Sequence, residues 1–296
     1  MNNETFTLPA QTHIENVHLR VRSLNETLSF YKDMLGFGEI RREGSTVFLS
    51  ASEKKPARVV LTELPDAKPR SRRTPGLFHT AILYPSRKEL ARTFVRLYEH
   101  QVVFQGFADH GVSEALYLAD PEGNSVELYA DRPREHWQYA NGELTMITEQ
   151  LDIESLVAEL DGKKDEWAGM HPETRIGHVH LQVSDISKAE QFYHRTLGFS
   201  VTQRSYPGAL FVSAGSYHHH LGFNVWNSRL SAPAPPDALG LQSFRIRVHG
   251  QGTLDVLKKR LVEAGIKVEQ NDGVLCIWDS DGIGVELFDV DGNSNS

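Results

Sequence analysis

Cysteine is nearly absent from this chain. Its single copy, Cys276, excludes an intramolecular disulfide framework and argues against a Cys-rich zinc site. Also missing is any excess of positive charge. The formal net charge is −8, which removes the electrostatic case for nucleic acid, and the short basic run Lys68, Arg70, Arg72, Arg73 lies in a Pro/Ser-rich loop. No apolar run approaches the length of a membrane span, and the opening residues MNNETFTLPAQTH lack the basic-then-apolar pattern of a secretory signal. The expectation is a cytoplasmic protein with no membrane partner. What remains is 296 residues, 40% hydrophobic and 24% charged, enough for a sizeable core and for two domains. Histidine stands out, with 14 copies, several inside strand-like patterns.

The chain repeats itself. IENVHLRVRSLNETLSFYKDMLGF (14–37) matches IGHVHLQVSDISKAEQFYHRTLGF (176–199) at a constant offset of 162. Each copy reads as an alternating strand, a turn with an N-cap candidate, and an amphipathic helix ending at glycine. Strand patterns follow, TVFLSAS and ARVVLTEL in the first copy, ALFVSAG and HHHLGFNVW in the second. A weaker repeat joins 77–129 to 241–288, and each of its copies closes on a turn and a VEL strand, DPEGNSVELY and DSDGIGVELF. Glu127 thereby corresponds to Glu286, each seven residues past its turn aspartate. The organisation is four βαβββ modules in two pairs, an α+β fold with domains over 10–132 and 173–290. Residues 133–172 connect them, with a short amphipathic helix around Ile153, Leu156, Val157 and Leu160 that reads as packing.

The stretch His110–Glu127 lays a histidine, Tyr117 and a carboxylate along a strand, a turn and a second strand. Glu127 sits between apolar Val126 and Leu128 and shares its strand face with Tyr129, so an interior carboxylate there needs a partner, and a cation is the obvious one.

Four βαβββ modules with these openings, F-Y-x3-L-G-F helix ends and D-P-x-G-N-x-V-E-L-Y closings resemble the vicinal oxygen chelate superfamily, whose fold is built from curved-sheet domains. Within it, His110–Glu127 resembles the extradiol ring-cleavage dioxygenase signature H-x5-L-Y-x2-D-P-x-G-x3-E, with Ala108 a departure two residues before the histidine. SEALYLADPEGNSVELYADRP and SYHHHLGFNVW are similar to two-domain bacterial catechol 2,3-dioxygenases. The resemblance implies metal ligands early in the first strands of two paired modules and a Glu on a last strand. Aligning the four first strands puts Asn16, His79, His178 and Ser243 at the ligand position. Only modules two and three offer histidine there, so the ligand set is His79, Glu127 and His178, drawn from modules two and three in a swapped pairing. Glu286 reads as a remnant lacking histidines.

Two imidazoles and one carboxylate leave three coordination positions open, as in the facial triad of non-haem Fe(II) oxygenases. The resemblance implies that His110 serves as acid/base, Tyr117 hydrogen-bonds a substrate oxygen, and one histidine of His218-His219-His220 handles oxygen and shuttles a proton. The register of the following LGF favours His219, with His218 and His220 on the other side unless a bulge intervenes. His18 and His180 read as packing residues. The expected activity is Fe(II)-dependent ring opening of catechol or a substituted catechol by O2 to a 2-hydroxymuconic semialdehyde, with Mn(II) an alternative metal. The partners are a small aromatic diol, O2 and, as an open alternative, further copies of the chain. Two other readings stand beside it: a glyoxalase-like lyase or isomerase using Ni(II) or Zn(II), and a metal-free, drug-sequestering binding protein. Intact His79, His178 and Glu127 argue against the last.

Overall fold

The computed structural model describes residues 6–52, 54–162, 167–250 and 252–289. Each repeat unit folds as its pattern predicts. Module one holds β1 (His13–Val21), α1 (Leu24–Leu28) running on as a π-helical turn (Ser29–Met34), and the meander β2 (Gly38–Glu43), β3 (Thr46–Ser50) and β4 (Val59–Glu63). Module two holds β5 (Gly76–Tyr84), α2 (Arg87–Glu99), β6 (Phe104–Asp109), β7 (Ser113–Ala119) and β8 (Ser125–Asp131). The connecting segment forms a two-residue hairpin, β9 (Tyr139–Ala140) with β10 (Glu143–Leu144), and α3 (Ile153–Ala158). Module three holds β11 (Arg175–Gln182), α4 (Ile186–Ala189) continuing as π-helical Glu190–Thr196, β12 (Ser200–Gln203), β13 (Ala209–Ser213) and β14 (Leu221–Asn224). Module four holds β15 (Gly240–Val248), α5 (Thr253–Glu263), β16 (Glu269–Asn271), β17 (Val274–Trp278) and β18 (Gly284–Asp289).

Two eight-stranded sheets result, ordered β16-β17-β18-β15-β1-β4-β3-β2 and β12-β13-β14-β11-β5-β8-β7-β6. The sheets therefore pair module four with one and module three with two, while compactness divides the chain into Leu19–Ala67 with His79–Gly177, and Met1–His18 with Lys68–Phe78 and His178–Ser296. In every module described in full register the first strand runs parallel to the last, β5 with β8, β11 with β14 and β15 with β18. β11 lies inside its sheet and is buried at seven of its eight positions, so both of its faces are covered.

The helices start and stop where their chemistry dictates. Ser86 caps α2 by accepting the Glu89 N–H at 3.3 Å, and Leu90, Ala91, Phe94 and Leu97 supply its buried face. Gly36 ends the first helix at φ +86°, and a Cβ there would stand 2.5 Å from the Met170 nitrogen. The glycine answers both a left-handed backbone and a close approach. Glu63, the one carboxylate of β4, accepts the Leu24 N–H at 2.9 Å at the start of α1, so it serves the backbone of its own module.

The repeated tyrosine and the repeated turn aspartate belong together, a pairing the sequence patterns do not show by themselves. Tyr193 donates its hydroxyl to Asp279 at 2.9 Å, and Tyr31 donates to Asp120 at 3.4 Å. Each aspartate also accepts the backbone N–H groups of its turn: Glu122 and Asn124 on Asp120, Asp281 and Ile283 on Asp279. Burial, the largest influence, pushes both carboxyls up to about 6. The same burial, with the neighbouring aspartate, raises both tyrosines well above the ordinary phenol value. These two clasps lock each closing turn onto a helix and fix where the strand carrying the VEL glutamate begins.

Candidate metal and substrate site

Glu127 lies in mid-β8, where its direct cross-strand neighbour on β7 is Tyr117 and its neighbour on β5 is Ala81. His79 stands two residues before Ala81, so the pleat puts it on the same face, one step along. Its Nε2 approaches a Glu127 carboxylate oxygen at 2.9 Å, with both side chains almost wholly buried. His178, on β11, is buried to 2% exposure. His79, Glu127 and His178 each offer one ligand atom, and these three atoms lie within 4.8 Å of one another. No other group of three or more such side chains converges this way among the described residues.

The residue before His178 makes room for a neighbouring ring. Glu127 shares its face with fully buried Tyr129, and a Cβ on Gly177 would fall 1.8 Å from the Tyr129 hydroxyl oxygen. Glycine immediately before His178 is what lets the Tyr129 ring occupy that space.

The repeat-equivalent position in module four is filled differently. Ser243 donates to Glu286 at 2.9 Å, and Arg245 donates to the same carboxylate through Nε at 2.8 Å and a terminal nitrogen at 2.5 Å. Arg245 is opposite Glu286 in register, as Ala81 is opposite Glu127. A guanidinium thus supplies the cation that this carboxylate needs, which accounts for a glutamate retained without histidines.

The other singled-out residues are placed as follows. His110 sits in the β6–β7 turn, its Nε2 2.7 Å from the Tyr117 hydroxyl and its Nδ1 2.7 Å from the Ile147 carbonyl. The Tyr117 ring centroid is 5.8 Å from that of His79. His219 has its ring 4.1 Å from His178 and 5.0 Å from Phe211. The expected alternation within the histidine run is only half followed, because the run precedes β14, which starts at Leu221. His220 does turn aside, with Nδ1 3.0 Å from Ser213 Oγ and 3.2 Å from the Ala214 nitrogen. His218 stays close to the site, its Nδ1 2.8 Å from that of His219 and its ring 6.0 Å from His178.

His180 occupies the His178 face of β11, two residues along. Its ring lies over Gly222, whose Cβ would stand 3.0 Å away, and the Asn224 amide nitrogen is 3.1 Å from its Nε2. Phe211, Phe78 and Trp226 surround it, with ring centroids 5.7, 4.9 and 5.9 Å away. The module-three face thus runs from His178 and His219 into an aromatic wall. Alternation along β11 could have found it. Asp109, beside His110, is held below the ordinary carboxylate value: burial alone would raise it, but Arg132 and the Gly111 N–H outweigh that.

The fold and this donor set define the class. Residues 11–128 and 175–295 match the Glyoxalase/Bleomycin resistance protein/Dioxygenase superfamily, and the chain belongs to it. Among its relatives is the catechol-2,3-dioxygenase of Bacillus subtilis (strain 168), 41% identical over 272 residues, covering 90% of this chain and 94% of that enzyme. Biphenyl-2,3-diol 1,2-dioxygenase 3 of Rhodococcus globerulus is 32% identical over 130 residues, 42% of this chain and 68% of that protein. In fold, the chain is similar to glyoxalase I from Zea mays, with TM-score 0.58, 16% identity, and coverage of 94% of this chain and 92% of that one. No helix among the described residues is long and apolar enough to cross a membrane.

Proposed function

We propose that the protein is an extradiol ring-cleaving dioxygenase that opens catechol or a substituted catechol beside its hydroxyls, incorporating both atoms of O2 to give a 2-hydroxymuconic semialdehyde. The observation that carries this is the convergence of His79, Glu127 and His178, three buried donors, in a chain homologous to a catechol 2,3-dioxygenase. The donor set fits Fe(II), or Mn(II), because one carboxylate offsets half of a divalent charge, two neutral imidazoles add donors without charge, and positions are left for both catechol oxygens and for O2. When bound, the metal would supply a path for electrons from the electron-rich ring to oxygen.

The surrounding side chains divide the proton work. Tyr117 and His110, hydrogen-bonded to each other, are suited to receive the proton of a substrate hydroxyl. His219, beside His178 and backed by Phe211, is suited to hold or move a proton on the oxygen side. The aromatic wall of Phe211, Phe78 and Trp226 would keep water from the ring being opened. A glyoxalase-like lyase on the same fold would be expected to use a second carboxylate as ligand or base, and the neighbour of His178 here is His219. A cytoplasmic place in the breakdown of aromatic compounds accords with this activity.

The test is direct. Protein loaded with Fe(II) without oxygen and then mixed with catechol in air should develop the yellow absorbance of the semialdehyde, and His178→Ala should abolish it. Absence of colour with catechol and simple substituted catechols, at full Fe(II) occupancy, would refute the reading.

A further inference from the structure

We propose that the connecting segment around Ile147 is a positioning element, which fixes His110 as its Nδ1–H tautomer and so aims the Tyr117 hydroxyl. This rests on the ring-cleavage reading only for its consequence in catalysis. The tautomer itself follows from bond chemistry. A backbone carbonyl can only accept, so the 2.7 Å contact from the Ile147 oxygen requires a hydrogen on His110 Nδ1. In neutral imidazole the other nitrogen is then bare, and at 2.7 Å it accepts the Tyr117 O–H. With its hydrogen given to His110, the Tyr117 oxygen meets any further hydrogen-bond donor as an acceptor.

The segment is built to hold that carbonyl still. The Asp109 and Glu149 backbones bond each other twice, at 2.9 Å both ways, and the Ile147 N–H reaches the His110 carbonyl at 3.1 Å. Buried Leu144, Met146 and Leu151 pin the segment on either side of Ile147. The turn carrying His110 is tied from its other side. Arg132 donates from Nε to Asp109 at 3.1 Å and from a terminal nitrogen to both Asp109 and buried Glu114, and Asp109 accepts the Gly111 N–H at 2.8 Å. Thr148 Oγ1 lies 3.5 Å from Nδ1, and a hydroxyl can accept from an Nδ1–H there.

The chemical consequence is a two-step relay. A substrate hydroxyl gives its proton to Tyr117 Oη as Tyr117 gives its own to His110 Nε2. One substrate O–H bond breaks, one N–H bond forms, and Tyr117 is regenerated. The substrate leaves as its anion and His110 as imidazolium, still donating from Nδ1 to Ile147. Neither His110 nor Tyr117 encodes this order of donors; a residue 37 positions downstream does.

The experiment reads the tautomer itself. In metal-free protein with 15N-labelled histidine, the His110 signals, assigned by their loss in His110→Gln, should show a protonated-type Nδ1 and an unprotonated-type Nε2. A predominant Nε2–H form would overturn the proposal. In a second protein the Thr148 amide is replaced by an ester, which weakens the Ile147 carbonyl as an acceptor without altering a side chain. There the two tautomers should mix, and kcat of the Fe(II)-loaded enzyme should fall about tenfold with KM unchanged. Unchanged His110 signals in the ester protein would equally overturn it. Because the first readout needs neither metal nor turnover, a correct tautomer in a protein that cleaves no catechol would refute the functional reading alone.

Discussion

Asp279 ties the stability of this protein to pH in a direction opposite to that of a salt-bridged carboxylate. Its carboxyl is almost fully buried and held near 6, against 3.8 when unperturbed. The gap of about 2.2 pH units, at roughly 1.36 kcal/mol each, is about 3 kcal/mol. Since the folded value is raised, the protonated form is the favoured one. The stabilisation is complete below about pH 4 and is lost as the pH climbs through about 6. Asp279→Asn imitates the protonated form. Its Oδ1 can keep accepting the Asp281 and Ile283 N–H groups, and its Nδ2 can donate to the Tyr193 oxygen. Urea unfolding of metal-free wild type and variant at pH 4.5 and pH 7.5 checks this, because using metal-free protein removes the protonation of the candidate ligands from the comparison. The variant should gain about 2 kcal/mol on wild type between the two pH values, because pH 4.5 already lies above the unfolded value, and the gain should appear as a higher midpoint at unchanged slope. Equal pH dependence in the two proteins would show that Asp279 is ionised at no cost, and that burial in the Tyr193–Asp279 clasp does not raise its carboxyl.

Two further outcomes are expected. Gly177→Ala drives a methyl group into the Tyr129 hydroxyl, so either the β8 face or the backbone before His178 must shift. Melting should register a loss of about 1–3 kcal/mol, and retained Fe(II) per chain should fall, whereas an unchanged metal content would mean that Gly177 does not set the ligand spacing. Arg245→Met removes the guanidinium from Glu286 and should lower stability by about 1 kcal/mol, discounted because the pair is partly exposed. Ring-cleavage rate and iron stoichiometry should stay as they are, and a loss of activity would contradict the assignment of Glu286 to a purely internal ion pair.

Much of the candidate site is readable from repeats. Comparing modules picked His79 and His178 out of 14 histidines because they share a register position, and Glu127 because it closes the same module as His79. Those are the three side chains whose ligand atoms converge. The swapped partnership of modules followed from which modules lacked histidine, and the strand orders of both sheets agree with it. What the patterns missed are contacts with no periodic signature. The Tyr193–Asp279 and Tyr31–Asp120 clasps join residues 86 and 89 apart, although each residue is visible as a repeat. The His180 wall carries no sequence signal of its own, because His180 and His18 occupy the same repeat position and both read as packing residues. The histidine run reads as strand, and His220 is bonded through its backbone to Val212 and Val179, but alternation does not hold back to His218.

The sequence by itself determined the modules, their hydrophobic faces, the capping and turn chemistry, and which residues could bind a cation. Those are properties of local spacing: strand and helix periods, glycine at positive φ, and a carboxylate on a half-apolar strand. Tertiary structure alone decided how those groups are used. An arginine two residues from a serine became the cation for Glu286, a glycine became the space for Tyr129, and a carbonyl in the connecting segment became the acceptor that sets the His110 proton. Each depends on a donor and an acceptor, or a ring and a gap, brought together by strand register across distances that no sequence window spans. Hydrogen bonds and close packing act over a few ångströms of space, and only the folded chain says which residues share them.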